Sequence, residues 1–505
     1  MKALIISLYV LMLLTIGYLT MKKTKSVDDF FLGNRSIGPW VSAFAYGTTY
    51  FSAVVFIGYA GKVGWGFGLS SLWIVLGNAF VGTMLAWLLL AKPTREITTR
   101  LNVLTMPEFL AARYDSPNLK LVAAMIIFLF LVPYSASVYM GLSYLFEQIF
   151  HIPFLYALIF IAVLTGVYLV MGGYLAVTLT DFIQGLVMIV GATLLVFYVV
   201  TDSHVGGITQ GLARLAAYDP KLVQPIGPGG FIPLASLVVL TSLGAWGLPQ
   251  MVQKFYSIKN EQAIKPAIIV STAFALIIAF GAYFTGSFGR LFFNNEMPVM
   301  AGKPNPDMII PYIVSTALPE WVGVLILLLV LAASMSTLAS LVLVSSSAIA
   351  MDLVKGSLFP NLPKEKVVTL MRILCVAFIA LSVYIALRPT FILTLMAISW
   401  GTIAGAFLAP YLYGLFWPGT TKAGAWAGLV TGLAISIGFS FLYRMNSAVI
   451  PTIGSAAILI PLVVVPLVSV FTPGFSEEHL RKVYGKDAPS TGWGRSSPAL
   501  RSEEA

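Results

Sequence analysis

The stretch Gly38-Pro-Trp-Val-Ser-Ala-Phe-Ala-Tyr-Gly-Thr-Thr-Tyr-Phe-Ser-Ala53 carries the decision about the fold. It belongs to an apolar run over 38–61, long enough for a bilayer crossing, which takes about 20 residues. Yet Gly47, Thr48, Thr49 and Ser52 fall near the middle of that run. Hydrocarbon offers no partner to a broken backbone, so a helix interrupted at mid-depth must have its polar groups satisfied by protein or by a polar cavity. A second stretch repeats the feature. Thr241-Ser-Leu-Gly-Ala-Trp-Gly-Leu-Pro249 places Gly244, Gly247 and Pro249 in the inner half of another run, 231–250. Interrupted helices at corresponding places in two inverted halves point to the midplane site of a transporter. Small residues also permit close helix packing, the preferred reading for the isolated pairs Gly401/Gly405 and Gly424/Gly428.

Working outward, thirteen segments have the length and apolarity of spans: 3–21, 38–61, 66–91, 121–146, 153–171, 174–200, 231–250, 266–288, 320–350, 367–387, 390–416, 423–443 and 450–471. The two interrupted runs are the second and the seventh, an odd offset that reverses direction. Of 505 residues, 58% are hydrophobic and 10% charged, against about 25% charged in a soluble chain. Barrel strands would alternate over about ten residues. The expectation is therefore an all-α polytopic membrane protein with about thirteen transmembrane helices. Lys22, Lys23 and Lys25 follow the first segment, which lacks a small-residue cleavage site and reads as a retained span, not a signal peptide. Lys and Arg number 30 against 20 Asp and Glu, net +10. Most of them fall in loops that share one face, which predicts an N-terminus outside and a C-terminus inside, in the plasma (inner) membrane. That asymmetry explains the charge without nucleic acid. The 472–505 tail is polar, with the composition of a disordered segment. The single cysteine, Cys375, lies in an apolar run and packs as a small hydrophobe.

The ninth segment contributes Leu331-Ala-Ala-Ser-Met-Ser-Thr337, in which Ala333, Ser336 and Thr337 share one helical face. Such hydroxyls bond back to their own helix or, joined by carbonyls from an unwound second span, surround a hard, oxygen-seeking cation. Asp181, in Tyr174-Leu-Ala-Val-Thr-Leu-Thr-Asp-Phe-Ile-Gln-Gly185, is the one carboxylate read as deep in a span. Inserting it there costs about 2.5–3.5 kcal/mol. It is compatible with cation binding, proton carriage or a partly wetted structural bond to Thr178. The Ser336/Thr337 pair has no useful titration, which favours a metal cation over a proton. His151, His204 and His479 lie in loops or the tail without metal-ligand spacing, so an enzyme and a prosthetic group are not expected. A channel usually assembles symmetric subunits or rings of like charge; a transporter-like nutrient sensor is a further alternative. No core residue stands out as counter-ion for a carboxylate, a role that N–H groups of an unwound helix would fill.

Phe31-Leu-Gly-Asn-Arg-Ser36, Gly172-Gly-Tyr-Leu-Ala-Val177 with Thr180, Asp181 and Gln184, Met335-Ser-Thr337 with Ser345-Ser-Ser-Ala-Ile-Ala-Met-Asp352, and Gly247-Leu-Pro249 resemble the sodium:solute symporter family over nearly the whole chain. The resemblance implies a LeuT-like core of two inverted five-helix repeats, 38–200 and 201–417, after a first helix and loop (1–37) and before two peripheral helices (418–471) and a cytoplasmic tail (472–505). It implies sodium as coupling ion, held by carbonyls of Thr48, Phe51 and Ala333 and hydroxyls of Ser336 and Thr337. Asp181 matches an Asp that helps some members bind a second sodium. Substrate would meet Thr49, Tyr50, Ser52, Tyr134, Trp246 and Pro249. Tyr50 stands where sodium/proline symporters carry Asp, and Thr241 and Ala245 replace a Trp and a Tyr of that branch. Thr49-Tyr-Phe-Ser-Ala-Val-Val-Phe-Ile-Gly58 and Gly286-Ser-Phe-Gly-Arg290 look like the sodium/pantothenate branch. The implied function is sodium-coupled import of a small carboxylate, pantothenate first, with proline or a monocarboxylate as the alternative.

Overall fold

The computed structural model describes residues 2–21, 35, 37–300, 302–388 and 390–485. Lys22, Lys23, Lys25, the 31–36 motif apart from Arg35, and 486–505 of the tail lie outside the described residues. Among the described residues the chain is helical except for one small sheet, Val299–Met300 paired with Lys303–Pro304. Ten helices among the described residues have the length and apolarity to cross a membrane, or eleven if the bent pair Phe231–Gly247 (α9) and Pro249–Tyr256 (α10), inclined by 45°, is one span.

The difference from thirteen has local causes. Helix α1 (Lys2–Met21) forms, but its apolar part is the shorter Leu4–Thr20. Helix α2 (Pro39–Tyr50) starts with proline in its first turn, where the missing N–H costs nothing, and stops at Phe51, whose backbone is extended at φ −107, ψ 117. The chain resumes at Val54 in a π-turn and stays helical to Arg100 apart from Gly68, at φ +58 and ψ −138. A Cβ on Gly68 would meet the Leu222 carbonyl oxygen at 2.2 Å. That glycine divides 54–67 (α3) from 68–100 (α4), so the expected second and third segments share one long helical stretch. Gly173, at φ +58, likewise separates Phe154–Met171 (α7) from Gly173–Thr201 (α8). Between them come Met106–Tyr114 (α5) and Pro117–Phe150 (α6). At the head of α5, Thr105 Oγ1 accepts the Glu108 N–H while the Glu108 carboxylate accepts the Leu104 N–H, a reciprocal cap.

The remaining long helices are Glu261–Ser287 (α11), Glu320–Leu358 (α12), Glu365–Ala386 (α13), Ile392–Phe416 (α14), Lys422–Leu442 (α15) and Ile450–Val470 (α16). The apolar stretches of α12 and α14 are 89% buried, against 28% for α13 and 33% for α15. The first two therefore form the centre of the bundle and the others its rim. Leu129, Ile269, Phe441 and Val463 are each more than 60% exposed. Such faces would drive association in water; in a bilayer, lipid solvates them.

Helices α2 and α10 run in opposite directions side by side. Ile37, just before α2, bridges Ile258, just after α10. Tyr46 stacks on Phe255 at 5.5 Å, and four residues on the Tyr50 hydroxyl donates to the Thr241 carbonyl at 2.6 Å. The tail is not all free: Glu477–Tyr484 (α17) is helical, with the Val483 carbonyl accepting from Arg100 at 2.8 Å and Tyr484 donating to the Gly414 carbonyl at 2.7 Å. Leu480 and Val483 supply the buried face that a composition average over 472–505 conceals.

Candidate ion and substrate site

The last carbonyls of a helix have no partner within it, and Phe51, turning away, frees those of α2. Its own N–H closes on Gly47 O at 3.1 Å. The Thr48 and Thr49 carbonyls then both accept from the Thr337 hydroxyl of α12, at 3.3 and 3.2 Å. Ser336 Oγ donates to Thr48 Oγ1 at 2.9 Å. Past the break, the Ala53 N–H donates to Ser334 Oγ at 3.3 Å and the Val54 N–H to Ser52 Oγ at 3.2 Å. The structure thus brings Thr48, Ser336 and Thr337 into one oxygen-rich spot, buried throughout. Phe51 supplies the extended backbone beside it, and Ala333 is buried on α12 one residue before the serine that holds Ala53. Gly47 is not itself the break. A Cβ there would sit 2.3 Å from the Phe274 ring, so its small size serves helix packing.

Asp181 on α8 is fully buried, with the Ser336 and Thr48 hydroxyls beside its carboxylate. Its charge partner is Lys254 Nζ on α10, 3.8 Å from Oδ2 and equally buried. This corrects two expectations. The bundle interior does hold a cation, and α10 carries the seventh segment on to Tyr256, beyond the apolar run that ends at 250. Apolarity stops there because Gln250, Gln253 and Lys254 are polar, but their side chains face protein. The i, i+3, i+4 spacing of those three was the available signal. Lys254 Nζ also donates to Ser340 Oγ at 3.2 Å, and that hydroxyl lies 3.1 Å from Thr49 Oγ1. Nor is Asp181 the one carboxylate within a long helix: α12 continues to Leu358 and buries Asp352, which accepts from Thr105 Oγ1 at 2.8 Å.

Around the first break stand aromatic rings. Tyr50 stacks on Trp400 of α14 at 6.0 Å, and Tyr134 of α6 meets the same indole edge-on at 5.8 Å. The Tyr134 hydroxyl lies beside Ser52, and the Tyr134 and Tyr283 hydroxyls lie near those of both Tyr50 and Tyr59. The Tyr59 and Tyr283 hydroxyls make no hydrogen bond with protein despite burial, and the Trp400 N–H lies beside the Tyr134 hydroxyl. Trp400, Tyr59 and Tyr283 were missed because isolated aromatics in apolar runs read as packing. Of the other expected contacts, Thr49 points to Ser340. Trp246 donates its N–H to the Val81 carbonyl at 2.9 Å. Pro249 lines a separate cleft of about 10 Å³ with Thr105, Tyr256 and Asp352.

This architecture has solved counterparts. A Na+-coupled sialic acid symporter in a substrate-bound, outward-open state matches with a TM-score of 0.77, over 94% of this chain and 98% of that one at 19% identity. Mhp1, a nucleobase-cation-symport-1 family transporter in a closed conformation, matches at 0.52, over 90% and 97%, with 16% identity. The fold is therefore that of cation-coupled symporters. The model of the sodium:solute symporter family matches residues 30–432, and the chain belongs to that family. It is 32% identical over 438 residues to the sodium/proline symporter of Haemophilus influenzae, covering 84% of this chain and 85% of that protein. It is 30% identical over 433 residues to the osmoregulated proline transporter OpuE of Bacillus subtilis, covering 85% and 86%. This is a multi-pass membrane transporter with sodium as its coupling ion, not an enzyme.

Proposed function

We propose that this symporter imports a small organic carboxylate by alternating access, with thirteen spans, the N-terminus outside, and inverted repeats over 38–200 and 201–417. The observation that carries the ion site is the Thr337 hydroxyl held on the Thr48 and Thr49 carbonyls. A sodium ion arriving there would compete with the hydroxyl proton and draw the Thr337 oxygen toward itself. With the Ser336 hydroxyl and the carbonyls of Thr48, Phe51 and Ala333 it would gain an all-oxygen shell of the kind hard cations prefer. Such an ion ties α2 to α12, so it favours whichever conformation brings the two helices together. A ligand shifts an equilibrium only by its differential affinity for the two states.

The substrate class follows from the rings. Tyr50, Tyr59, Tyr134, Tyr283 and Trp400 bring donors and no charge, and the nearby carboxylate of Asp181 already faces Lys254. A solute carboxylate would find the unsatisfied Tyr59 and Tyr283 hydroxyls there, whereas a solute ammonium would find no free acid. A carboxylate without an amine, pantothenate or a short monocarboxylate, therefore fits better than proline. Proline is the second reading, favoured by the relatives at 30–32% identity. Uptake of labelled pantothenate, a short monocarboxylate and proline by proteoliposomes, with an inward sodium gradient and with potassium in its place, tests both. Sodium-driven accumulation of an amine-free carboxylate is expected. Accumulation of proline alone would establish the second reading, and accumulation that potassium supports equally would remove sodium coupling.

A further inference from the structure

Helix α17 lies across a seam between two groups of helices. On one side, α4 is knit to both interrupted spans. Its Trp87 packs against Tyr46 of α2 at 5.6 Å and Phe255 of α10 at 5.1 Å, and Arg95 donates to the Ile258 and Lys259 carbonyls at 3.0 and 2.8 Å. On the other side, α5 is knit to α14 and α15. Tyr114 donates to the Pro410 carbonyl at 2.6 Å, Phe109 packs on Tyr411 at 5.1 Å, and Trp426 donates to Ser116 Oγ, just past α5, at 3.3 Å. The cleft that Pro249 and Tyr256 of α10 line together with Met106 and Pro107 of α5 lies on this seam. Deeper in, the stack of Tyr50 on Trp400 joins the same two groups, so parting them on the face that bears α17 opens a way to the rings.

The tail helix is fastened to both groups, but unequally. Tyr484 donates to the Gly414 carbonyl of α14 at 2.7 Å and accepts from Arg113 Nε of α5 at 2.9 Å, while His479 Nε2 lies 2.9 Å from the Arg113 carbonyl oxygen. The Arg113 guanidinium is fully buried and also donates to the Trp417 carbonyl at 3.1 Å, at the end of α14, where the helix dipole favours a cation. The rings of Phe475 and Tyr484 cover it, their centres 5.4 and 5.3 Å away. On the α4 side the link is the bond from Arg100 to the Val483 carbonyl at 2.8 Å, made by an exposed side chain, and a charged group in water contributes less than a buried one. We infer that α17 is a strap that closes the seam on its face of the transporter, anchored on α5 and α14 and released from α4 when the site opens to that face. The inference rests on the alternating-access reading.

The test measures how fast N-ethylmaleimide labels a reporter thiol in proteoliposomes, in a Cys375→Ser background. Ser347→Cys places the reporter in the cleft on the seam, and Ser71→Cys, buried at the other end of α4 beside Ser287, serves as the control. Arg100→Ala cuts the strap at its weaker end without touching the core, and should speed labelling of the Ser347→Cys thiol about threefold; deletion of 475–505 should speed it about tenfold or more. The Ser71→Cys thiol should keep its rate in both. Unchanged labelling at Ser347→Cys in the Arg100→Ala protein would overturn the strap, and that variant decides the matter even if the deletion does not fold. An equal rise at both thiols would also overturn it, because the tail would then support the whole bundle and not one seam. Sodium-driven uptake by the same proteoliposomes separates the two readings. Uptake with unchanged labelling brings down the strap alone, whereas no uptake of any solute by the protein with its tail intact brings down alternating access and the strap with it.

Discussion

Between Tyr50 and Val54 the first interrupted span offers carbonyls, hydroxyls and no charge, whereas the second, past Leu248, leads into a short helix that buries Lys254 completely. The causes of the two breaks differ as well. Pro249 lacks an N–H and restricts the residue before it, and Leu248 is accordingly extended at φ −87, ψ 122. Nothing in Tyr50-Phe-Ser-Ala53 forces such a turn. That break is held from outside, by Ser334 on the Ala53 N–H and Thr337 on two carbonyls. One break is written into its own residues and carries a fixed charge. The other is propped open by a neighbouring helix and contributes only uncharged oxygens of its own, beside the Asp181 carboxylate.

The strongest way to break this contrast is to remove the oxygens. Ser336→Ala combined with Thr337→Ala should raise the sodium concentration for half-maximal transport roughly a hundredfold, about 1.4 kcal/mol per hydroxyl. Unchanged sodium dependence in the uptake assay would refute the ion site. At the second break, Gly247→Ala would bring a Cβ to 2.9 Å from Ala404 Cα and 3.0 Å from Leu408 Cβ. Overpacking of that kind costs about 1–2 kcal/mol, visible as a lowered Tm in detergent; an unchanged Tm would mean that α9 and α14 separate freely.

A buried acid outside both breaks provides a control for burial alone. Asp307, in the loop before α12, accepts the Ile392 N–H at the head of α14 at 3.2 Å. Burial pushes its carboxyl up to about 7, against the pull of that N–H and of Lys62. The folded form therefore holds a proton that the unfolded chain, with an ordinary pKa of about 3.9, releases. Stability from this group is full below about pH 4 and lost as pH rises toward 7, since the unfolded state binds fewer protons in that window. Asp307→Asn should flatten that part of the Tm-against-pH curve, and an unaltered slope would assign it to another group. The smallest effect is expected from Tyr50→Phe, which removes the hydroxyl joining the two interrupted spans at Thr241 O. About 1 kcal/mol of stability should go, measured by thermal melting, with sodium affinity little changed.

Much of the site was legible because its chemistry is unusual for a membrane. Thr48, Ser336 and Thr337 stood out as hydroxyls at mid-span, and helical spacing put two of them on one face. Asp181 stood out as a charge in hydrocarbon. Lys254 did not, because it lies beyond the apolar run and a lysine near a helix end is ordinarily a snorkelling or loop residue. Trp400, Tyr59 and Tyr283 were hidden for the opposite reason, as apolar residues among others.

Residue chemistry and order alone determined that the chain is a helical membrane protein, that two antiparallel spans are interrupted, and that hydroxyls gather at mid-span. Those properties depend on local composition and on counting spans. Only the tertiary structure decided that the first break falls at Phe51 and not at Gly47, that Asp181 faces Lys254, and that Tyr50 and Tyr134 pack against Trp400. Each of these depends on a partner more than sixty residues away, and in a bilayer a buried polar group takes its meaning from the group that satisfies it.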